Sequence, residues 1–97
     1  MSLEQMLDKL RRLTEAPEDF IEAEIDREEK ELAFEKVVSA IAICSDVDCY
    51  VKFDKPTNKA IKHLANYSYI WFRPCQKLYV RTVEAEKGKL YAWAEVI

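Results

Sequence analysis

Apolar residues recur along this chain with two different periods. Leu3, Met6, Leu7, Leu10 and Leu13 follow the three-and-four spacing of one helical face, and the opposite face carries Asp, Lys, Arg and Glu. Ser2 with Gln5 fits a capping box at the start, and Pro17 ends the run near Thr14. The spacing predicts an amphipathic helix within residues 1–16, followed by one β-rich domain over 17–97. That helix would pack either on its own domain or on a partner. Further on the period shortens to two. Ile21, Ala23 and Ile25 alternate with Glu22, Glu24 and Asp26, predicting a strand over 20–26, although a helix through 20–38 also fits loosely. The β-branched run Val37-Val38-Ser39-Ala40-Ile41-Ala42-Ile43-Cys44 predicts a buried strand over 36–44.

Ser45-Asp46-Val47-Asp48 supplies turn chemistry. The alternating Cys49-Tyr50-Val51-Lys52-Phe53 behind it is then expected to close an antiparallel hairpin with 36–44. Asp54 to Asn58 reads as a loop around Pro56, and Lys59–Asn66 fits a helical turn as well as a strand. Tyr67–Phe72 reads as a strand stopped by Arg73-Pro74. The segments 78–83 and 90–96 flank Glu86-Lys87-Gly88, which predicts a hairpin with a left-handed Gly88. Its register would set Leu78 against Val96, Val80 against Ala94, Thr82 against Ala92, and Arg81 over the Trp93 indole. The fold class expected is mainly β, an antiparallel β-sandwich or small barrel with one N-terminal helix.

Composition narrows the function. Ninety-seven residues, 49% of them hydrophobic, suffice for one core and not for two. A net charge of −3 with that hydrophobicity excludes a wholly disordered chain. One glycine in the whole sequence excludes phosphate-cradling loops and dinucleotide fingerprints, which need several close together. The few Asn and Gln beside 34% charged residues lean towards a thermophilic source. No apolar run approaches the ~18 residues of a membrane span, and the N-terminus lacks the basic start and apolar core of a signal peptide. The expected location is cytoplasmic, in a host cell or a virion, with no membrane partner.

Catalytic chemistry finds few candidates. His63 is the sole imidazole, set among lysines and read as a surface or edge residue, and no strained turn presents a serine nucleophile. Cys44, Cys49 and Cys75 with His63 have the residue types of a zinc site but lack its tight ligand spacing. They read as small buried hydrophobes, with a Cys44–Cys49 disulfide as the alternative. Asp46 and Asp48 read as turn caps. No enzyme activity, cofactor or metal is expected.

Charge and aromaticity divide the chain. Residues 1–35 carry twelve acids and five bases; residues 36–97 carry six acids and ten bases, and nine of the eleven aromatics lie from Tyr50 onward. Two binding readings follow. Tyr67-Ser68-Tyr69-Ile70-Trp71-Phe72 is apolar on both sides, as a strand central in a sandwich or covered by another subunit is. An assembly surface centred on Tyr69, Trp71, Tyr91 and Trp93 would then join copies of the chain, or other assembly proteins. Alternatively Arg73, Lys77, Tyr79 and Arg81 interleave cations with rings, the pairing that binds single-stranded nucleic acid.

The stretch Asp48-Cys49-Tyr50-Val51-Lys52-Phe53-Asp54-Lys55-Pro56, followed by Lys77-Leu78-Tyr79-Val80-Arg81 and Gly88-Lys89-Leu90, resembles small β-sandwich structural proteins of tailed phages and archaeal viruses. The likeness covers residues 36–97. It implies a non-enzymatic virion or tail component that works by self-association, and it brings no catalytic residue.

Overall fold

A computed structural model describes residues 19–96. The helix expected within 1–16 lies outside them. The described chain is β1 (Asp19–Ile25), β2 (Lys30–Ser45), β3 (Cys49–Phe53), β4 (Ile61–His63), β5 (Ser68–Thr82) and β6 (Gly88–Glu95). All pairs are antiparallel, and one six-stranded sheet runs in the order β1-β6-β2-β5-β3-β4.

Two long strands organise it. The second half of β2 lies between β6 and the first half of β5, with Ile41 opposite both Ala94 and Trp71. The first half of β2 pairs with the second half of β5, Lys30 opposite Val80, and β3 adds to that half with Phe53 opposite Leu78. Between the halves the register slips twice, around Val38. Glu35, Lys36 and Val37 are all exposed there, and the core-facing positions change from half-buried Leu32 with buried Phe34 and Val38 to Ile41 and Ile43. Extra residues at a bulge bend a strand and move its apolar set to the other parity. Pro74 marks the matching place in β5, since it can give no ladder bond. The strand continues through it to Thr82, so Arg73-Pro74 bends the ribbon and does not stop it.

The core is formed by Ile25, Phe34, Val38, Ile41, Ile43, Val51, Phe53, Leu78, Val80 and Leu90, with Ala92, Ala94, Cys49 and Cys75 between them. Both halves contribute to it.

Neither expected hairpin forms. β3 does not pair with β2, and β6 does not pair with β5. Asp46 and Asp48 cap other segments: Asp46 Oδ1 accepts from Lys89 N and Asp48 Oδ1 from Ala65 N, both at 2.8 Å. These bonds carry the chain across the top of the core to the far edge of β5. Thr82 N donates to Asp26 O at 2.7 Å and Val83 N to Asp48 O at 3.0 Å, so the end of β5 is held by two other turns. Gly88 has no positive φ and already belongs to β6. Arg81 consequently lies over the ring of Tyr50, 4.6 Å from its centroid, and not over Trp93.

Candidate assembly surface

The first half of β5 is an edge. Ser68 to Phe72 pair with β2 on one side, whereas β3 on the other side reaches only to Leu78. Among the described residues no strand pairs with the outer side of Ser68–Arg73. An edge presents a row of unpaired N–H and C=O groups, and proteins usually blunt it with lysine or proline. Here Pro74 closes one end, and the open part reads Ser-Tyr-Ile-Trp-Phe-Arg. Tyr69, Ile70 and Phe72 are 41%, 40% and 45% exposed.

Tyr69 and Trp71 are on the inner side of this edge. Trp71 packs on Phe53 with ring centroids 5.5 Å apart. Tyr69 meets His63 edge to face at 5.3 Å and stacks with Tyr67 at 6.3 Å. Tyr91 and Trp93 are on the outer face of β6, stacked at 6.1 Å, and Phe20 of β1 meets them at 6.4 and 5.8 Å. The four expected contact residues are therefore divided between two faces of one sheet. The exposed rings missing from that expectation are Phe20, Tyr67 and Phe72, and the partners of Phe20 arrive from the other end of the chain.

The basic residues are also divided. Lys77, Tyr79 and Arg81 come from the second half of β5. Arg73 lies apart, over the Phe53 ring at 4.6 Å, where it lines a pocket of about 470 Å³ with Asn58, Lys59 and Ile61. Carboxylates accompany most of these cations. Tyr79 donates its hydroxyl to Glu31 at 2.8 Å and Lys77 pairs with the same carboxylate at 3.4 Å. The Tyr79 and Lys77 bonds hold the Glu31 carboxyl below its ordinary range, and Glu31 pushes the Tyr79 phenol up. Lys52 meets Glu29 at 2.8 Å, and Arg73 meets Asp54 at 3.8 Å.

His63 is buried, against the expectation of a surface residue, because β4 sets it opposite Cys49 and Tyr69 closes over it. Its Nε2 lies 2.9 Å from Tyr67 O; a carbonyl only accepts, so Nε2 carries the proton. Burial pushes its pKa below the ordinary 6.5. All three cysteines are free thiols. Cys44 shares the outer face with Tyr91 and Cys49 is in the core, so their side chains diverge from the geometry a disulfide needs. Burial pushes the Cys49 thiol up; burial and the nearby Asp54 push Cys75 up to about 11. Raised thiols are poor nucleophiles at neutral pH. Among the described residues no three His, Cys, Asp or Glu side chains converge as a metal site, and no helix is long and apolar enough to cross a membrane.

No family model and no curated protein matches the chain in sequence. Among solved structures it is similar to the solution NMR structure of a de novo designed double-stranded beta-helix. The TM-score is 0.57 and the identity 11%, over 78% of this chain and 97% of the designed one. At that identity the likeness is one of fold.

Proposed function

We propose that this protein is a non-enzymatic, self-associating assembly module whose copies join through the open edge of β5. The observation that carries the reading is an apolar strand with one side unpaired, bearing exposed Tyr69, Ile70 and Phe72. Two such edges related by a two-fold axis would continue the sheet across the interface and leave inner-side Tyr69 and Trp71 beside their copies. Tyr91 and Trp93 lie on the opposite face of the sheet and would contribute only to a broader contact. The bent strands β2 and β5, which wrap both halves of the sheet around one core, support the sandwich or small-barrel reading. The sequence resemblance over 36–97 supports a structural component of viral or prophage type.

Analytical ultracentrifugation tests the edge. Wild type should sediment as an oligomer that dissociates on dilution. Tyr69→Lys, which puts a solvated charge on the inner side of the edge, should be monomeric with an unchanged far-UV spectrum. A wild type that is monomeric at every concentration removes the reading. Single-stranded nucleic acid is the second reading, supported by Arg81 over Tyr50 with Lys62 across the strand pair. It needs oligonucleotide binding that weakens steeply as salt rises. The pairing of Lys52, Lys77 and Arg73 with carboxylates favours the assembly reading.

A further inference from the structure

A cleft of about 470 Å³ opens where the β3–β4 connection passes β5. It is lined by Asn58, Lys59 and Ala60 of the connection, Ile61 of β4, Phe53 of β3 and Arg73 of β5. Arg73 is the residue that points to a ligand. Its guanidinium lies over the Phe53 ring, 4.6 Å from the centroid, and that contact leaves its N–H donors unspent. None of them is hydrogen-bonded among the described residues. Nε is enclosed and meets no acceptor, and Nη2 stands 3.8 Å from Asp54 Oδ2, an ion pair too long for a hydrogen bond. Enclosed donors are normally satisfied within a protein, and a cation that is not so satisfied keeps its bonding capacity for something else. The Arg73 side chain is 41% exposed although Nε is enclosed, so the Nη end of the fork is what the cleft presents.

We propose that this cleft binds a small organic carboxylate, with the charged end of the ligand on Arg73 and Lys59 and its apolar body on Ala60 and Ile61. Charge balance sets the class. The lining carries two cations and no acid, and Asp54 beside Arg73 is the carboxylate nearest to them. Lys59 has no carboxylate partner among the described residues. Two cations against one acid leave a single positive charge, which suits a monoanion. A planar guanidinium fork matches the two oxygens of a carboxylate better than a single point charge does.

The walls agree with that class. Ala60 and Ile61 are half-buried and apolar, and small-molecule sites combine such walls with a few placed polar groups. The cleft is also held in shape by bonds of its own. Asn58 Nδ2 donates to Phe53 O at 2.6 Å and Asn58 N to Lys55 O at 3.1 Å, which tie the connection back to β3. Asp54 is fixed as well. Its φ of 69° is a left-handed conformation that Asp tolerates, and its amide donates to Lys77 O at 2.8 Å. Asp54 therefore stays beside Arg73 as a weak competitor, near enough to hold the charge and too far to occupy the fork.

Titration of the ¹⁵N-labelled full chain with sodium benzoate, at constant ionic strength, provides the test. The amide resonances of Lys59 and Ile61 and the Nε–H of Arg73 should shift together and saturate, with a Kd of roughly millimolar order for one fork and a small apolar contact. Benzamide has the same shape without the charge and should give no saturable shift. Inorganic phosphate buries no apolar surface and should bind about tenfold more weakly. Arg73→Gln should abolish the benzoate shifts with the far-UV spectrum unchanged. Asp54→Asn keeps the shape and removes the competing charge, so it should bind benzoate several-fold more tightly, a gain that damage to the fold does not produce. Benzamide binding as well as benzoate would make the cleft a plain apolar pocket and overturn the proposal. Phosphate binding as well as benzoate would make it a general anion site and do the same. So would the absence of any saturable benzoate shift, or an Asp54→Asn variant that binds no more tightly.

Discussion

Gly88 is required for the space it leaves and not for its backbone freedom. A Cβ there would come 2.2 Å from Cγ2 of Val47, which is fixed in the turn that crosses the core. Gly88→Ala should therefore destabilise the protein by about 1–3 kcal/mol through overpacking, read as a lower urea midpoint. Adding Val47→Ala should restore much of the loss. Two buried titratable groups tie stability to pH in opposite directions. The folded pKa of His63 is depressed, so its contribution is intact above 6.5 and is lost as pH falls and the unfolded chain takes up the proton. The melting temperature should drop between pH 6.5 and 5, and His63→Gln should flatten that slope. Cys75 is the reverse: its folded pKa is raised from 9.0 to about 11. Its contribution is intact below pH 9 and declines through 11, by roughly 2–3 kcal/mol for a shift of that size. Cys75→Ala should remove that part of the alkaline decline.

At the level of elements, the connection from β5 to β6 is held from outside. Arg27 in the β1–β2 turn donates from Nε and Nη2 to Glu84 O at 3.1 and 2.9 Å, beside the Thr82 N bond to Asp26 O. Arg27→Ala should cost about 0.5–1.5 kcal/mol, and the Thr82 and Val83 amides should exchange faster than those of Leu78 and Val80. That tie explains what the sequence could and could not reveal. Period-two alternation within Asp19–Ile25, Cys49–Phe53 and Gly88–Glu95 is local, and those strands are legible. Their partners are not, because Thr82 and Val83 bond to carbonyls 56 and 35 residues earlier, Asp26 and Asp48. Short turns make hairpins the natural expectation, and only these distant bonds override it. Arg73-Pro74 likewise reads as a stop, whereas it bends a strand that continues, and the strand expected over 36–44 begins six residues earlier, at Lys30. For the candidate site, Tyr69 and Trp71 are legible from a run apolar on both sides. Phe20 is not, since its value depends on rings brought alongside by β6.

Across the whole molecule, the two halves of the sheet are not separable units. Ile41, Ile43, Phe34 and Val38 belong to one continuous strand, and the core they enter also takes Val51, Phe53, Leu90 and Ala94 from opposite ends of the sheet. Losing either half would strip partners from both β2 and β5, so unfolding should be a single transition. The two indoles allow this to be measured. Trp71 touches Phe53 of the second half, whereas Trp93 is in the outer cluster of the first. Fluorescence of the Trp71→Phe variant then reports the outer cluster of the first half, and that of Trp93→Phe reports the Trp71–Phe53 contact between the halves, with far-UV circular dichroism of the same samples as the reference. Within each variant, the fluorescence and dichroism midpoints in urea should coincide, and the two variants should share one slope. Because nearly all the strand pairings join distant parts of the chain, refolding should fall in the millisecond-to-second range of non-local β topologies. If the Trp93 signal disappeared before the dichroism did, the first half would be a subdomain, and the bent strands would hinge the molecule where they are here inferred to unite it.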